Sequence, residues 1–398
     1  MERVSSETTR LDQTAVLPTY GRLPLEVVGG EGCELIGIDG RRYLDFVTGL
    51  SVSNFGHCHP RVVQAVREQV GRLIHCSNLY YTRPQAQLAE RLSRAANGGK
   101  VFFGNSGAEA NEAAIKIARK RSREVGGGAI VTLERSFHGR TMATLSATGQ
   151  REKQAAFSPT LEVFQHVAPG DATMLEQAFR GGRVAAFLAE PVLGESGVQI
   201  VPAGFLRRAQ ELCREFDALF IVDEVQTGLG RCGAAFAYQR YGLDPDIVTV
   251  AKSLAGGLPI GAAIVGERAW DVLRPGDHGS TFGGGPVVAA AGLAIMDLLE
   301  EPGLFERVEA RGRRLEAILQ RLIDRAGAVA VRRLGLMAAV DLPRPKAKEL
   351  VVQALEDGIL LNATSEKTLR FLPPLIVSEE QIDRVGDWLL QNLCPQER

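Results

Sequence analysis

Three short apolar segments of the sequence each end in a side chain that can do chemistry. Glu190 follows VAAFLA, Asp223 follows ALFIV and Lys252 follows DIVTVA. We interpret these segments as strands of an open parallel sheet, in which ligands bind beyond the carboxyl ends of the strands. Because burial disfavours the ammonium form, a lysine in such a crevice becomes a nucleophilic amine toward aldehydes. On spacing alone, a lysine that reaches solvent from its strand end is equally compatible.

Asp223 gives this lysine a more specific chemical setting. A pyridoxal ring acts as an electron sink when its pyridine nitrogen stays protonated, which requires a neighbouring anion. An aspartate at a neighbouring strand end can supply that anion. A salt bridge or a helix cap is the alternative that the sequence leaves open.

The segment NSGAEANEAAIKIAR, residues 105–119, predicts a helix whose start could bind a phosphate. Ser106 and Glu109 have the spacing of a capping box, and apolar residues then recur at helical intervals. The amide groups of Gly107 and Ala108 lack intrahelical acceptors and lie at the positive end of the helix dipole. Taken alone, the segment is explained more simply as an ordinary capped helix.

Two other motifs carry less weight. Residues 228–233 match GxGxxG, but Arg231 is bulky and charged, and no convincing acidic residue follows at the distance that a ribose requires. The triplet His57-Cys58-His59 has adjacent side chains that face different ways, and no second cluster completes a tetrahedral set. We therefore predict neither a dinucleotide site nor a metal site.

The elements that must position these residues indicate an α/β protein. Apolar runs at 128–134, 184–191, 218–224 and 246–252 predict buried strands of a largely parallel sheet, with helical stretches such as 203–216 between them. From about Pro286 the pattern changes to long amphipathic helices and short strands, while GCELIGIDGRRYLDF predicts a hairpin. We predict a large cofactor-binding domain at 61–285 and a smaller domain built from 1–60 and 286–398.

The composition favours a small-molecule substrate. The 398 residues carry a net charge of −1 with acids and bases interspersed, which offers no field for nucleic acid or a membrane surface. The N-terminal segment is polar, and no apolar run approaches the roughly 18 residues of a membrane span. The six cysteines show no paired spacing, which indicates reduced thiols. We expect a cytoplasmic protein without nucleic-acid or membrane partners.

Many ordered segments of the chain resemble the class III aminotransferases of fold type I. They run from about Pro18 to Pro374 and include YLDFVTGLSVSNFGHCHP, FFGNSGAEANEAAIKIAR, SFHGRT, EPVLGESGV, IVDEVQTGLGR and AKSLAGGLPIGA. Within the class, SNLYYTRPQ, HGSTFGG and LRFLPPL are most similar to the acetylornithine aminotransferases. The resemblance implies a mostly parallel central sheet with a smaller α+β domain, pyridoxal 5'-phosphate as the cofactor, and a homodimer with shared active sites.

The resemblance also implies the roles of individual residues around the cofactor. Lys252 would hold the cofactor as a Schiff base and shuttle a proton, Asp223 would pair with the pyridinium, and Glu190 would be a further acid nearby. The other cofactor contacts that it implies are Gly107, Ala108, Phe137, Glu224, Val225, Gln226 and Thr281. Thr281 would come from a second subunit.

Three charged residues and a serine would select the substrates. Arg140 would bind the carboxylate of acetylornithine and later the distal carboxylate of 2-oxoglutarate, because a guanidinium pairs bidentately with a carboxylate. Arg370 would bind the α-carboxylate of glutamate or 2-oxoglutarate, and Glu195 would neutralise it while the acylated diamine is bound. Ser280 is the next substrate contact. Without the surrounding motifs, exposed charges on loops would explain these residues.

The resemblance implies an acetylornithine:2-oxoglutarate aminotransferase of arginine biosynthesis with a ping-pong cycle. Leu50 fits an acylated α-nitrogen better than the tyrosine typical of ornithine aminotransferases. Transaminases of succinylornithine, ornithine, 4-aminobutyrate or N-succinyl-diaminopimelate are the alternatives, followed by an aminomutase and a non-catalytic binding protein. Ser196, Gly285 and Cys76 depart from the family wording and leave the finer substrate preference open.

Overall fold

The protein is described by a computed structural model over residues 6–96 and 98–394. Within these residues, no helix combines the length and the apolar character needed to cross a membrane. The α-helices are α1 (Glu7–Ala15), α2 (Thr48–Ser51), α3 (Pro60–Val70), α4 (Arg83–Ala95), α5 (Gly107–Arg123), α6 (Met142–Ala147), α7 (Arg151–Gln154), α8 (Ala172–Arg180), α9 (Ala203–Glu215), α10 (Ala237–Arg240), α11 (Pro286–Leu299), α12 (Leu304–Ala326), α13 (Ala347–Glu356) and α14 (Glu379–Leu393). Short 3-10 turns cover Ala155–Phe157 and Lys252–Ala255.

The strands form one large sheet and three small ones. They are β1 (Val27–Glu31), β2 (Glu34–Gly37), β3 (Arg42–Asp45), β4 (Lys100–Gly104), β5 (Ala129–Leu133), β6 (Phe164–Val167), β7 (Val184–Ala189), β8 (Val192–Leu193), β9 (Gln199–Ile200), β10 (Leu219–Asp223), β11 (Ile247–Val250), β12 (Gly261–Val265), β13 (Ala330–Leu334), β14 (Met337–Asp341), β15 (Ile359–Leu360), β16 (Asn362–Ala363) and β17 (Thr368–Phe371).

The large sheet has the strand order β4-β12-β11-β10-β7-β5-β6. Only β12 among these strands runs antiparallel to its two neighbours, and the other pairings are parallel. Each of the four predicted strands is present, and β11, β10, β7 and β5 are consecutive in the sheet. The predicted α/β fold with a mostly parallel central sheet is confirmed.

The central strands are apolar along their length because helices cover both faces of the sheet. Every residue of β7 and β10 is buried, as is typical of strands in such a position. Alternate residues enter different cores: Phe187 and Phe220 pack in the cluster that contains α9, whereas Leu188 and Ile221 pack in the cluster that contains α5. The parallel pairing of these strands brings their carboxyl ends to one edge of the sheet.

The smaller sheets join segments from both parts of the sequence. β2 and β3 form the predicted antiparallel hairpin around Asp39 and Gly40, where Gly40 has a φ of 79° that suits a residue without Cβ. β15 pairs in parallel with β3 and thus adds a C-terminal strand to the N-terminal hairpin. β13, β14, β17 and β16 form a further antiparallel sheet. The division of the chain at residues 60 and 286 stays a prediction.

The glycine-rich segment after β10 wraps around a buried arginine. Arg231 is fully buried, and its Nη1 donates to the carbonyl oxygens of Leu336 at 2.9 Å and Pro373 at 2.6 Å. Its Nε and Nη2 donate to Ser51 and Asn54. The guanidinium therefore ties the loop after β10 to segments near both ends of the chain. The GxGxxG segment at 228–233 thus holds a buried arginine that links distant parts of the chain.

The histidines of the His57-Cys58-His59 triplet have separate local partners. Nε2 of His57 lies 2.8 Å from a carboxylate oxygen of Asp45. Nδ1 of His59 accepts a hydrogen bond from the backbone N–H of Arg61 at the start of α3. His57 therefore contacts the last residue of β3, whereas His59 caps the start of α3.

Candidate active site

The carboxyl ends of β7, β10 and β11 open onto one cavity of about 450 Å³. Glu190, Asp223 and Lys252, which follow or end these strands, all line it. The volume lies within the range of small-ligand sites. The structure therefore brings the three residues with which the sequence analysis began into a single site. Its remaining wall comes from the start of α5 and from the segment around Phe137.

Lys252 combines a strained backbone with an unpartnered amine. Its φ of 47° lies in the left-handed region, which a side chain with a Cβ rarely adopts. Such conformations cluster at functional sites because the surrounding structure has to enforce them. Burial lowers the pKa of Lys252, although the charge of Glu195 opposes this shift. Within the described chain Nζ has no hydrogen-bond partner, so an amine whose ammonium form is disfavoured by burial faces the cavity.

Asp223 is held by three donors. Its Oδ2 accepts from Nδ2 of Asn111 at 2.7 Å and lies 2.8 Å from Nδ1 of His138. Its Oδ1 accepts from the backbone N–H of Val225 at 3.0 Å. The Asn111 amide is itself oriented, because its Oδ1 accepts from the Thr249 hydroxyl at 2.7 Å. The carboxylate is therefore fixed at the cavity and buried from bulk water.

Asn111, His138 and Thr249 are site residues that sequence reasoning missed. Asn111 does carry a signal, since it is a polar residue on the alanine-rich buried face of α5, four positions after Gly107. His138 lies between Phe137 and Arg140 in a segment that the resemblance already marked. Their contacts with Asp223 span 112 and 85 positions of sequence, which no local pattern reveals.

The start of α5 offers free amide groups to the cavity. Ser106 Oγ accepts from the backbone N–H of Glu109 at 3.2 Å, as predicted. A capping box also predicts that the Glu109 carboxylate accepts from the N–H of Ser106. This part of the prediction is wrong, because the carboxylate accepts from the N–H of Asn105 at 2.7 Å. In the described structure no group accepts from the N–H of Gly107 or Ala108, and both residues line the cavity.

Gly107 is required by packing as well as by access to the cavity. A Cβ at this position would lie 2.8 Å from Cγ1 and 3.0 Å from Cγ2 of Val225. Val225 also lines the cavity, directly after the strand that carries Asp223. The start of α5 therefore packs so closely against Val225 that position 107 has no room for a side chain.

Glu190 supports the wall that carries Phe137. Its Oε1 accepts from the backbone N–H of Phe137 at 2.8 Å. Burial raises the pKa of Glu190 well above its ordinary value, and the negative charge of Asp223 adds to this shift. Phe137 is half-buried and presents its ring to the cavity. We infer that Glu190 acts on the site through the position of this ring.

A buried arginine and a glutamate meet at one end of the cavity. Nη1 of Arg370 donates to Glu195 Oε1 and to the Gly194 carbonyl oxygen, both at 2.8 Å. Asn362 Oδ1 accepts from Nε and Nη2 on the other side of the guanidinium, a contact that sequence reasoning missed. Gln226 Nε2 also donates to Glu195, at 3.2 Å. Arg370 is thus fully covered by protein groups, and Glu195 lies between it and the cavity.

The ionisation of Glu195 follows from this pairing. Burial alone would raise the pKa of the carboxyl group, but the charge and hydrogen bond of Arg370 more than offset it. With smaller contributions from Lys252 and Gln226, the pKa falls to about 2. Glu195 therefore stays charged throughout the physiological pH range and neutralises Arg370 whenever the two are in contact.

Arg140, unlike Arg370, is neither buried nor paired with a carboxylate of the described residues. It lines the cavity but is exposed, and its guanidinium carbon lies 5.3 Å from the centroid of the Phe137 ring. No carboxylate of the described residues pairs with it. An exposed guanidinium at the cavity rim, without an internal partner, is available to an anionic ligand.

The remaining predicted residues lie around the cavity. Glu224 points away from it, since its carboxylate accepts from the Thr227 hydroxyl at 2.5 Å and the Tyr238 N–H at 2.7 Å, and burial raises its pKa to about 7. Ser280 Oγ bonds Asn105 and Gly283, and Thr281 is exposed outside the cavity of its own chain. Their roles, like those of the other site residues, stay predictions.

The cavity fits pyridoxal 5'-phosphate by the chemistry of its groups. Lys252 supplies an amine without a partner, and Asp223 supplies a fixed carboxylate that can face a ring nitrogen. Gly107 and Ala108 supply two free amide groups at the start of a long helix, where phosphates bind. An aldehyde, a pyridine nitrogen and a phosphate are thus each matched by a group on the cavity wall.

Comparisons with known proteins agree with this picture. The family model described as Aminotransferase class-III matches residues 16–393. The acetylornithine aminotransferase of Caldanaerobacter subterraneus subsp. tengcongensis is 45% identical over 372 residues, covering 92% of this chain and 94% of that protein. The structure of acetylornithine aminotransferase from Elizabethkingia anophelis has a TM-score of 0.87 at 32% identity, covering 97% of this chain and 98% of that one.

A second solved structure adds information on a ligand. It is the ornithine aminotransferase of Toxoplasma gondii, crystallised with oxidised glutathione, in which PLP partially occupies the active site. Its TM-score is 0.92 at 32% identity, and the match covers 98% of this chain and 95% of that one. The resemblance inferred from the sequence motifs is therefore confirmed over nearly the whole chain.

Proposed function

The chain belongs to the class-III aminotransferases, and from this we propose that it transfers the terminal amino group of N2-acetylornithine to 2-oxoglutarate. The observation that carries this proposal is the contrast between two arginines at the cavity: Arg140 is exposed and unpaired, and Arg370 is buried against Glu195. An unpaired arginine and an arginine paired with a glutamate suit two substrates of which one has a single carboxylate and the other has two. The identity to the acetylornithine aminotransferase named above supports the same assignment.

We propose that pyridoxal 5'-phosphate is the cofactor and that it supplies an electron sink for the transfer. Lys252 would hold it covalently through Nζ; once the substrate's amino group takes the place of Nζ, the freed amine would move a proton to and from the substrate carbon that bears the amino group. Asp223 holds the proton on the ring nitrogen, and the amide groups of Gly107 and Ala108 bind the phosphate. Phe137, whose backbone N–H is held by Glu190, would cover the ring and exclude water from it.

The arginines explain how one site serves two unlike substrates. In the first half-reaction the carboxylate of acetylornithine binds Arg140, while Glu195 neutralises Arg370 next to an uncharged part of the substrate. In the second, the distal carboxylate of 2-oxoglutarate binds Arg140, and its α-carboxylate takes the place of Glu195 on Arg370. The exchange keeps one carboxylate on the Arg370 guanidinium in both half-reactions.

We further propose a homodimer in which Thr281 reaches the partner's site. Large apolar side chains are exposed around this residue and around Asn78, whose Nδ2 donates to the Ser280 carbonyl oxygen: Ile74, Leu79, Tyr80, Tyr81 and Phe282. Such a group of side chains is typical of a surface that another protein covers. A second copy would also bring Thr281, which is exposed, to a site other than its own.

The finer setting of the enzyme is also a proposal. We place it in the cytoplasm and in arginine biosynthesis, as the acetylornithine substrate implies, and its six free thiols are typical of a reducing compartment. We propose that residues 61–285 form the large domain and that 1–60 and 286–398 form the small one. The pairing of β3 with β15 supports this division.

The half-reactions test the proposed function directly. We expect acetylornithine to abolish the near-visible absorbance of the cofactor bound to Lys252, and 2-oxoglutarate to restore it. Lys252→Ala should show neither change, because it lacks the amine that both steps use. If 2-oxoglutarate does not restore the absorbance, the proposed transfer is wrong.

Ornithine aminotransferase is the second candidate, because such an enzyme has the TM-score of 0.92 given above. Specificity constants for acetylornithine and free ornithine separate the two. We expect acetylornithine to be preferred, since Leu50 offers no hydrogen-bond partner for a free α-amino group. A preference for free ornithine would favour the second candidate.

A further inference from the structure

The Phe137 ring that Arg140 contacts has a second cation near it, which the proposed function does not use. Nζ of Lys153, on the short helix α7, lies 5.8 Å from the centroid of the Phe137 ring. The Arg140 guanidinium lies 5.3 Å from the same centroid. Two positive charges therefore flank one ring on the cavity wall.

Lys153 is held in this place by the segment that carries the ring. Its ammonium group bonds Oε1 of the buried Gln150, whose Nε2 donates to the carbonyl oxygen of Ser136 at 3.0 Å. Ser136 directly precedes Phe137, so the position of the ammonium is coupled to that of the ring. Lys153 is also only partly exposed, unlike its neighbour Arg151 on the same helix.

The surroundings leave both cations without a paired anion. No carboxylate of residues 6–96 or 98–394 lies within ion-pair distance of Lys153 or Arg140. Burial lowers the pKa of Lys153, and the charge of Arg140 lowers it further, while the more distant Glu152 and Glu195 act against this shift. The two cations repel each other, and an anion that binds to both of them relieves this repulsion.

We propose that Lys153 and Arg140 together bind the distal carboxylate of the substrates, which makes Lys153 a specificity-determining residue. The proposal rests on the proposed function, because it concerns the carboxylate that both half-reactions place at this end of the cavity. Arg140 supplies a planar pair of donors, and Lys153 supplies a point charge from the side of α7. An ammonium on an ordinary solvated surface would not be anchored to a buried glutamine beside the cavity wall.

Equilibrium binding to the holoenzyme tests the assignment without turnover. Glutarate is the probe, since it has both carboxylates of 2-oxoglutarate but no keto group. We expect Lys153→Met to weaken glutarate binding about ten-fold, the value of one charged hydrogen bond. Lys153→Arg should restore most of the affinity. Arg151→Met, which removes an exposed charge from the same helix, is the matched control and should leave binding unchanged.

Substrate pairs that differ in the distal carboxylate separate charge recognition from a structural role. Acetylornithine is compared with N-acetylputrescine, and 2-oxoglutarate is compared with pyruvate. We expect Lys153→Met to lower kcat/KM about ten-fold for the two substrates that have the carboxylate, mainly through KM. The two analogues that lack it should be affected less than two-fold, so the ratio within each pair changes.

The outcomes keep this proposal distinct from the proposed function. An equal loss for all four substrates, or unchanged glutarate binding in Lys153→Met, contradicts the role of Lys153 even if acetylornithine is the true substrate. A wild type that does not use acetylornithine contradicts the proposed function. In that case a selective loss of glutarate affinity in Lys153→Met would still support the carboxylate site.

Discussion

The cofactor end and the substrate end of the cavity are built on different principles. At the cofactor end, Asp223 has three donors, and the Asn111 amide that supports it is fixed in turn by Thr249. At the substrate end, Arg370 is paired with Glu195, which we propose exchanges with a substrate carboxylate, and Arg140 has no carboxylate partner among the described residues. A group that keeps one ligand through the cycle can be saturated with hydrogen bonds, whereas groups that serve two substrates need exchangeable partners.

This comparison makes a general prediction about the two half-reactions. Changes at the cofactor end should slow both half-reactions by the same factor. Changes at the substrate end should slow one more than the other, so that the ratio of the two rates reports the end that was altered.

The largest effect should follow from Asp223→Asn. The amide cannot hold a proton on the ring nitrogen by its charge, so we expect both half-reactions to slow about 10³-fold. Stopped-flow absorbance measures each half-reaction separately. A change confined to one of them would contradict the assignment of Asp223 to the cofactor end.

Arg370→Met should come next and should act unequally. It removes the site for the α-carboxylate, so we expect the 2-oxoglutarate half-reaction to slow about 100-fold and the acetylornithine half-reaction only a few-fold. Arg370→Met also leaves the carboxylate of Glu195 without its partner. The double variant Glu195→Gln/Arg370→Met removes that charge and is the control for this effect. If both half-reactions fell equally in that variant, Arg370 would not distinguish the substrates.

Glu195→Gln should slow the acetylornithine half-reaction more than the 2-oxoglutarate half-reaction, by a smaller factor than in Arg370→Met. Without its charge, Arg370 is left uncompensated beside acetylornithine, so we expect that half-reaction to slow about ten-fold. The 2-oxoglutarate half-reaction should be unchanged or faster, because no carboxylate has to be displaced. A slower 2-oxoglutarate half-reaction would argue against the exchange of carboxylates on Arg370.

The pH dependence of stability tests the same pair. The pKa of Glu195 is depressed in the folded protein, from its usual 4.5 to about 2. Its contribution to the free energy of unfolding is therefore fully present above pH 4.5 and is lost as the pH falls through about 2. We expect the stability difference between the wild type and Glu195→Gln to be constant from pH 6 to 8 by denaturant titration, and to shrink below pH 4.5.

Gly107→Ala should have the smallest effect of the set. The added Cβ would meet Val225 at 2.8 Å and displace the helix start from the phosphate. We expect the cofactor to dissociate several-fold more readily, while both half-reactions keep their ratio at saturating cofactor. Val225→Ala in the same chain should restore affinity, because it removes the clash. No restoration would mean that the added Cβ obstructs the phosphate itself and not only Val225.

The parts of the fold that could be predicted from the sequence are those with a local signal. The buried strands are continuous apolar runs, and their strand-end residues follow from the direction of a parallel sheet. The start of α5 was likewise predicted from Ser106 and Glu109. The family motifs named the charged pair Glu195 and Arg370, which the structure places 2.8 Å apart.

The other contacts depend on tertiary packing. His138 lies 85 positions from Asp223, so no local pattern reveals that contact. Asn362 is only eight positions from Arg370, but their contact depends on the register in which β16 pairs with β17. The return bond of the capping box failed because Asn105 offers its own N–H and amide to the Glu109 carboxylate. The catalytic and binding roles, and the domain limits, stay predictions that the experiments above address.

The buried guanidinium of Arg231 has a consequence for how the enzyme matures during synthesis. Two of its acceptors are the carbonyl oxygens of Leu336 and Pro373, which follow it by 105 and 142 positions. Until the ribosome has released that part of the chain, the loop after β10 would have to bury a cation with part of its hydrogen bonds missing, which is costly. The loop that follows Asp223 therefore gains its full set of hydrogen bonds only after Pro373 has left the ribosome, and a chain truncated before Pro373 should retain the cofactor poorly.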